Sequence, residues 1–198
     1  WDNSYGTLLK TPNLRNPVQI SVGFSHFCAM DDEGVKCWGE NNLGQTKVPP
    51  LRNPIRVFAG HNNTCAIDDE GVKCWGDNTY EQISLPVFTN PTDIAMSDRN
   101  TCVIANLTVR CFGSDEDDIS KIPILNEPSK IILVNRRACA LTKEGVICWG
   151  SAINGPQPEL KHPSQLTLGY QHHCAIDDEG VKCWGVNQYG QCNVPKEF

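Results

Sequence analysis

A repeat with a period of about 37 residues constrains the fold of this chain more than any other feature. An aromatic residue followed by glycine recurs along the sequence, and successive copies are separated by 37, 37, 37, 37 and 35 residues. Units this short cannot bury a core alone, so the period predicts a stack of similar units that cover one another. The aromatic residues of this step are Trp1, Trp38, Trp75, Phe112, Trp149 and Trp184.

Each unit contains a predicted β-hairpin with one cysteine on either strand. In the second unit, two short alternating runs flank an acidic tetrad, residues 68–71, that ends in glycine. This pattern is typical of a hairpin turn. With the tetrad as the loop, Ile67 faces Val72 and Cys65 faces Cys74. Opposed residues bring their Cβ atoms to about 4.5–5.5 Å, which suits a disulfide.

The eleven cysteines form five pairs, each nine residues apart, with Cys192 left over. Regular pairing of this kind predicts one disulfide per unit and an oxidising compartment. A metal site is the alternative, but the spacing is too wide for a zinc knuckle and no histidine recurs beside every pair. For Cys192, an intermolecular disulfide and a quiet thiol both stay open. The predicted disulfides are Cys28–Cys37, Cys65–Cys74, Cys102–Cys111, Cys139–Cys148 and Cys174–Cys183.

The order of elements within a unit predicts a small all-β propeller of short four-stranded blades. An alternating strand, a polar loop and the hairpin are followed by a turn and an outer strand, residues 82–85 in the second unit. Alternation predicts that one face of the first strand meets a neighbouring blade, through Val18, Ile20 and Val22 or through Ile55, Val57 and Ala59. The predicted single domain covers residues 1–198, with five complete repeats at 17–49, 54–86, 91–123, 128–158 and 163–195.

Residues 1–12 resemble the second half of a unit, and Trp1 stands in the middle of the repeat. We therefore expect an excised domain or a mature fragment. Two interpretations of this segment stay open. It pairs beside the last blade, or it is the stub of a further blade.

Charge and hydropathy exclude several classes of partner and activity. The net charge is −6 and the basic residues are dispersed, so we expect no nucleic-acid partner. No apolar run is long enough to cross a bilayer, which argues against membrane insertion. No cluster supplies a nucleophile, a base and oxyanion donors, so the sequence indicates neither an enzyme nor a cofactor.

Residues 23–29 and 35–45 of the first unit carry a family resemblance. The spacing of Gly23, His26 and Ala29, and then Trp-Gly followed by Asn41 and Gly44-Gln45, resembles the repeats of the regulator of chromosome condensation family. The resemblance implies a β-propeller. The short units with cysteine pairs are similar to the secreted branch, which includes a bacterial β-lactamase inhibitory protein.

The family's histidine position is held by His26 and His172, and by Asn63, Asn100 and Arg137 in the other units. We interpret this column as a hydrogen bond that closes the loop between the first and second strands. The recurring tryptophans are interpreted as packing between blades. The acidic tetrads are interpreted as hairpin turns without an ion, and residues 115–118 are a better candidate for calcium.

The loops before each hairpin vary most, and they share one rim of the propeller with the turns that follow the hairpins. Varied aromatic, amide and charged side chains on a rigid frame favour ligand binding over an ordinary solvated surface. The fourth unit is also locally basic, at Arg136, Arg137 and Lys143. The candidate ligand-binding residues are Phe24, His61, Asn62, Arg99, Arg136, Tyr170, Gln171, Tyr80 and Tyr189.

These patterns together predict a non-enzymatic recognition or adhesion module, secreted or at the cell surface, that binds a glycan or a cell-surface protein through this rim. We expect it to be the head of a larger, multimeric surface protein. A secreted protein inhibitor of an enzyme is the alternative. A guanine-nucleotide exchange factor is disfavoured by the predicted disulfides.

Overall fold

The computed structural model describes residues 10–116, 118–151 and 156–195. In these ranges fifteen strands form five antiparallel sheets of three strands, each in sequential order. We call each sheet, with the turn that follows it, a blade. The strands are β1 (Gln19–Val22), β2 (His26–Asp31), β3 (Gly34–Gly39), β4 (Arg56–Ala59), β5 (Asn63–Asp68), β6 (Gly71–Gly76), β7 (Pro91–Met96), β8 (Asn100–Ala105), β9 (Thr108–Gly113), β10 (Lys130–Val134), β11 (Arg137–Thr142), β12 (Gly145–Gly150), β13 (Gln165–Leu168), β14 (His172–Asp177) and β15 (Gly180–Gly185).

The predicted hairpin register and the five predicted disulfides are confirmed. In blade 2, Ile67 pairs with Val72 and Cys65 pairs with Cys74 across β5 and β6. The same register recurs in the other blades, and each bonded pair of cysteines has its Cα atoms 4.0–4.1 Å apart. Each blade is therefore fastened covalently between its second and third strands.

The prediction of a fourth strand in each blade is wrong, because the backbone donors of that segment are used in tight turns. After β6, the N–H of Glu81 donates to the carbonyl of Asn78, and the N–H of Ser84 donates to the carbonyl of Glu81. The Asn78 side chain also accepts from the N–H of Ile83 at 2.9 Å. These bonds leave no row of donors to pair with β6. The described blades are three-stranded.

The core lies between the blades. The first strand has one repeat position that is buried in the middle and last blades, where it is held by Val57, Ile94, Ile131 and Leu166. The indole N–H of Trp75 donates to the carbonyl of Gln45 in the preceding blade at 2.9 Å. The packing of tryptophan between blades is thereby confirmed for this residue. Trp149 makes the equivalent bond to the carbonyl of Ile119.

The expectation that Val18, Ile20 and Val22 face a neighbouring blade is wrong, since all three are exposed. In the second blade the same expectation is confirmed for Val57, whereas Ile55 is exposed. The alternation predicts the direction of a side chain, and burial also requires a blade on that side. Of residues 1–12, positions 1–9 lie outside the described residues, so both interpretations of this segment stay predictions.

Candidate ligand-binding rim

Each loop between the first and second strands is closed by a backbone hydrogen bond. The N–H of Gly23 donates to the carbonyl of His26, and the N–H of Gly169 donates to the carbonyl of His172. A Cβ atom placed at Gly23 would lie 2.5 Å from Cε1 of His26, and one at Gly169 would lie 2.2 Å from Cε1 of His172. The spacing of glycine and histidine therefore reflects the room that the imidazole ring needs.

His26 of this column bonds to the next blade, which corrects the predicted loop-closing role at this position. Nε2 of His26 lies 2.9 Å from Oγ1 of Thr64, and the Thr64 hydroxyl donates to the carbonyl of Gln45. Burial lowers the pKa of His26 to about 4, and the nearby Glu40 carboxylate opposes this shift. The imidazole is therefore neutral at physiological pH and acts in blade-to-blade contact.

Four of the predicted ligand-binding residues line one open cavity of about 300 Å³. Arg99 comes from the loop after β7, Arg136 from the loop after β10, and Tyr170 and Gln171 from the loop after β13. Three consecutive blades therefore contribute to one concave surface on the rim. The other residues of its wall are Asp98, Val134, Asn135, Arg137 and Ser151.

The remaining predicted residues lie outside this cavity. The ring of Phe24 stacks on that of His61 with centroids 4.2 Å apart, which forms an aromatic pair on blades 1 and 2. Tyr80 lies under the Arg99 guanidinium at 4.9 Å from its ring centroid. The carbonyl of Asn62 accepts from the N–H of Asp77, and Tyr189 is 91% exposed on blade 5. The rim thus has an aromatic pair on blades 1 and 2 and a cavity with three arginines on blades 3 to 5.

The charge of Arg99 is balanced by neighbouring carboxylates. Its Nη1 atom lies 2.6 Å from Oε2 of Glu116, and its Nε atom lies 3.6 Å from Oδ2 of Asp98. Asp118, from the same acidic stretch as Glu116, pairs with Lys121 at 2.8 Å. These two carboxylates of the predicted calcium candidate therefore face cations of the chain itself, and Asp117 lies outside the described residues.

Arg137 has a different environment at the wall of the cavity. Its Nη1 atom is buried and has no hydrogen-bond partner in the structure. Burial lowers the pKa of the adjacent His173, and the charges of Arg137 and His172 lower it further. Arg137 is not among the ligand-binding residues predicted from the sequence, although it lines the cavity. The signal that points to it is an arginine in a column otherwise held by histidine and asparagine.

The first aspartate of each of these acidic tetrads holds the hairpin turn in place by accepting hydrogen bonds from backbone N–H groups. We call this arrangement a hairpin clasp. The buried Asp68 carboxylate accepts from the N–H groups of Arg52 and Glu70 at 2.9 and 2.8 Å, and Lys73 Nζ lies 3.0 Å away. Asp31 and Asp177 have equivalent partners in blades 1 and 5. Because these oxygens already accept from the chain, the interpretation of the tetrads as turns is supported over a calcium site.

Two cysteine features need a separate account. The Sγ atoms of Cys139 and Cys148 and a ring nitrogen of His173 all lie within 4.8 Å of one another, which is the spacing of a metal site. The two sulfurs are bonded to each other, however, and a disulfide supplies no thiolate ligand. Cys192 is the free cysteine of the described residues and is half-buried, with Sγ 3.5 Å from the carbonyl oxygen of Val186.

Three of the five units match a model of the regulator of chromosome condensation (RCC1) repeat, over residues 18–45, 55–82 and 164–191. These are the first, second and fifth units, whose sequences are most regular. No curated protein sequence matches the chain significantly. The likeness to a β-lactamase inhibitory protein stays a prediction.

Similar solved structures include two ectodomains of plant receptor kinases. The CR4 ectodomain from Physcomitrella patens is 22% identical with a TM-score of 0.75, over 93% of this chain and 56% of that one. The CRINKLY WD40 ectodomain of ACR4 from Arabidopsis thaliana is 22% identical with a TM-score of 0.71, over 91% and 70%. Prp20p from Saccharomyces cerevisiae is 16% identical with a TM-score of 0.74, over 91% and 60%.

The chain thus spans between 56% and 70% of the length of these three structures. No helix long and apolar enough to cross a membrane occurs in the described ranges. Five disulfides favour an oxidising, extracellular location. Structural likeness at such low sequence identities shows the fold alone. The chain therefore has the β-propeller-like fold of RCC1-repeat proteins, and nothing further follows from these structures.

Proposed function

We propose that this protein is a non-enzymatic extracellular recognition module that binds a glycan or a cell-surface protein through its rim. The observation that carries the proposal is the cavity between blades 3, 4 and 5, where Arg99, Arg136, Tyr170 and Gln171 converge. Each contributing loop is fixed beside a disulfide-fastened hairpin. A preorganised site loses little conformational entropy when a ligand binds.

The alternatives have less support. No contact in the cavity specifically favours a secreted inhibitor, which stays a prediction. The five disulfides count against a guanine-nucleotide exchange factor, because thiols of the cytosol and nucleus are kept reduced. The reported binding of Prp20p to Gsp1p and histones belongs to that protein.

A glycan array and a panel of purified surface proteins, probed with the wild type and two variants, test this proposal. Tyr170→Ala removes an aromatic side chain that is 71% exposed in the cavity wall. Tyr189→Ala removes an exposed tyrosine of the same rim outside the cavity. We expect Tyr170→Ala to weaken binding about tenfold or more and Tyr189→Ala to leave it unchanged. Absence of any ligand for the wild type, or unchanged binding in Tyr170→Ala, would overturn the proposal.

A further inference from the structure

Arg137 lines the cavity, and no carboxylate of the described residues forms an ion pair with it. The equivalent residues in other blades have compact, uncharged contacts: His26 lies 2.9 Å from the Thr64 hydroxyl, and the amide of Asn100 donates to the carbonyl of Ser114. Arg137 instead places a guanidinium beside the neutral ring of His173. Arg137 lines the cavity and is half-buried, so a ligand there that supplies an acceptor to the guanidinium gains a charge-assisted hydrogen bond.

The surrounding charges favour an anion at this place. The protein as a whole carries a net charge of −6, yet among the described residues of the cavity wall there are three arginines, Arg99, Arg136 and Arg137, and one carboxylate, Asp98. Asp98 lies against Arg99, which also pairs with Glu116 outside the wall. A guanidinium matches a carboxylate in both planarity and donor spacing.

The size and the other walls of the cavity favour a sugar. A volume of about 300 Å³ is at the lower end of the range for small-molecule sites, which suits one monosaccharide. Tyr170 offers an exposed aromatic face, and the amides of Asn135 and Gln171 supply donors and acceptors for hydroxyl groups. Aromatic faces cover the apolar C–H side of ring-shaped ligands.

We propose that this cavity binds a terminal acidic sugar, with the Arg137 guanidinium donating to its carboxylate and the Tyr170 ring covering its face. The proposal rests on the recognition function proposed above and names the ligand class for the same cavity. It commits to a carboxylated carbohydrate, so an acidic protein surface is an alternative outcome of the test.

Isothermal titration calorimetry of the intact 198-residue chain tests this inference with glucuronic acid and N-acetylneuraminic acid as ligands. The methyl esters of both sugars are neutral, matched controls. We expect the esters to bind about tenfold more weakly or worse, because they lose a charge-assisted hydrogen bond. Equal binding of acids and esters would overturn the inference and leave the proposed recognition function standing.

Arg137→Asn is the first variant, because asparagine fills the same column as Asn63 and Asn100 in folded blades. Arg52→Asn, beside the hairpin turn of blade 2, is the control with an identical change of charge. We expect Arg137→Asn to lose about tenfold or more in affinity for the acids and Arg52→Asn to lose none.

A second variant keeps the test decisive if Arg137→Asn does not fold. Arg137→Lys retains the charge but loses the bidentate fork, so we expect a smaller but measurable loss of affinity. Unchanged affinity in both variants, or equal losses in Arg52→Asn, would overturn the inference. The inference would also be overturned if the rim binds surface proteins in a way that depends on Tyr170 but binds neither sugar acid.

Discussion

One position on the first strand, the same in each unit of the repeat, meets two different environments in this molecule. In the middle blades it is buried, with exposures of 0% for Val57, 3% for Ile94 and 2% for Ile131, whereas Ile20 in blade 1 is 63% exposed. These residues have the same place in the repeat and similar chemistry. The repeat therefore specifies which side chains a neighbouring blade would contact. It does not specify whether a neighbouring blade is present to cover them.

The opposite face of each first strand shows the same contrast at the other end of the array. The Gln19 amide donates to the carbonyl of Val57 at 2.7 Å and accepts from its N–H at 3.0 Å, which joins blade 1 to blade 2. Ser21 adds a bond to the N–H of Ala59. In blade 5 the equivalent positions hold Gln165 and Thr167, and both are exposed. In the described residues, blade 1 and blade 5 thus each expose the face that the middle blades use for one half of a blade interface.

Substitution of aspartate for Val57 and, separately, for Ile20 tests this contrast. Of the predictions made here, it has the largest expected effect on the free energy of unfolding. We expect Val57→Asp to lower the free energy of unfolding by about 4 kcal/mol or more, because a carboxylate would be buried without a partner. We expect Ile20→Asp to change it by less than about 0.5 kcal/mol, because the side chain stays in water. Urea unfolding monitored by tryptophan fluorescence measures both. A large loss in Ile20→Asp would contradict the exposure of this face.

Truncation of the two equivalent glutamines tests the polar half of the interface. Gln19→Ala removes both hydrogen bonds to the backbone of Val57, so we expect a loss of about 1–2 kcal/mol in the free energy of unfolding. Gln165→Ala removes an exposed side chain and should cost less than about 0.5 kcal/mol. The same urea titration applies. Equal costs would show that the face of blade 5 is covered in solution.

Local features could be predicted from the sequence. The hairpin register followed from the tetrad at residues 68–71, because a short turn fixes which residues face one another. The prediction of a fourth strand was wrong because the Asn78 side chain and the tight turns use the backbone donors that such a strand would need. The alternation of residues in the sequence does not reveal this competition. The convergence of Arg137 with Arg99 and Tyr170 on one cavity was also hidden, since these residues come from loops of three blades that are far apart in sequence.

The hairpin clasps of the two end blades give the smallest effect, which depends on pH. The hydrogen bond from Lys36 lowers the pKa of Asp31 to about 2, with help from the N–H of Arg15. The bond from Lys182 does the same for Asp177, whose pKa is also lowered to about 2. Because the folded pKa is below the ordinary value of 3.8, the unfolded state binds more protons between these values. The clasps therefore stabilise the protein above about pH 4 and lose this contribution as the pH falls towards 2.

Amide hydrogen exchange at pH 5, 3 and 2, expressed as protection factors, measures this loss blade by blade. The N–H groups of Glu33 and Glu179 donate to Asp31 and Asp177, so their protection should fall as the carboxylates are protonated. In blade 4 the N–H of Glu144 donates to the hydroxyl of Thr142, which does not titrate in this range. Its protection should stay constant. A parallel fall at Glu144 would show that acid unfolds the whole array cooperatively, and the end blades would then have no separate response to acid.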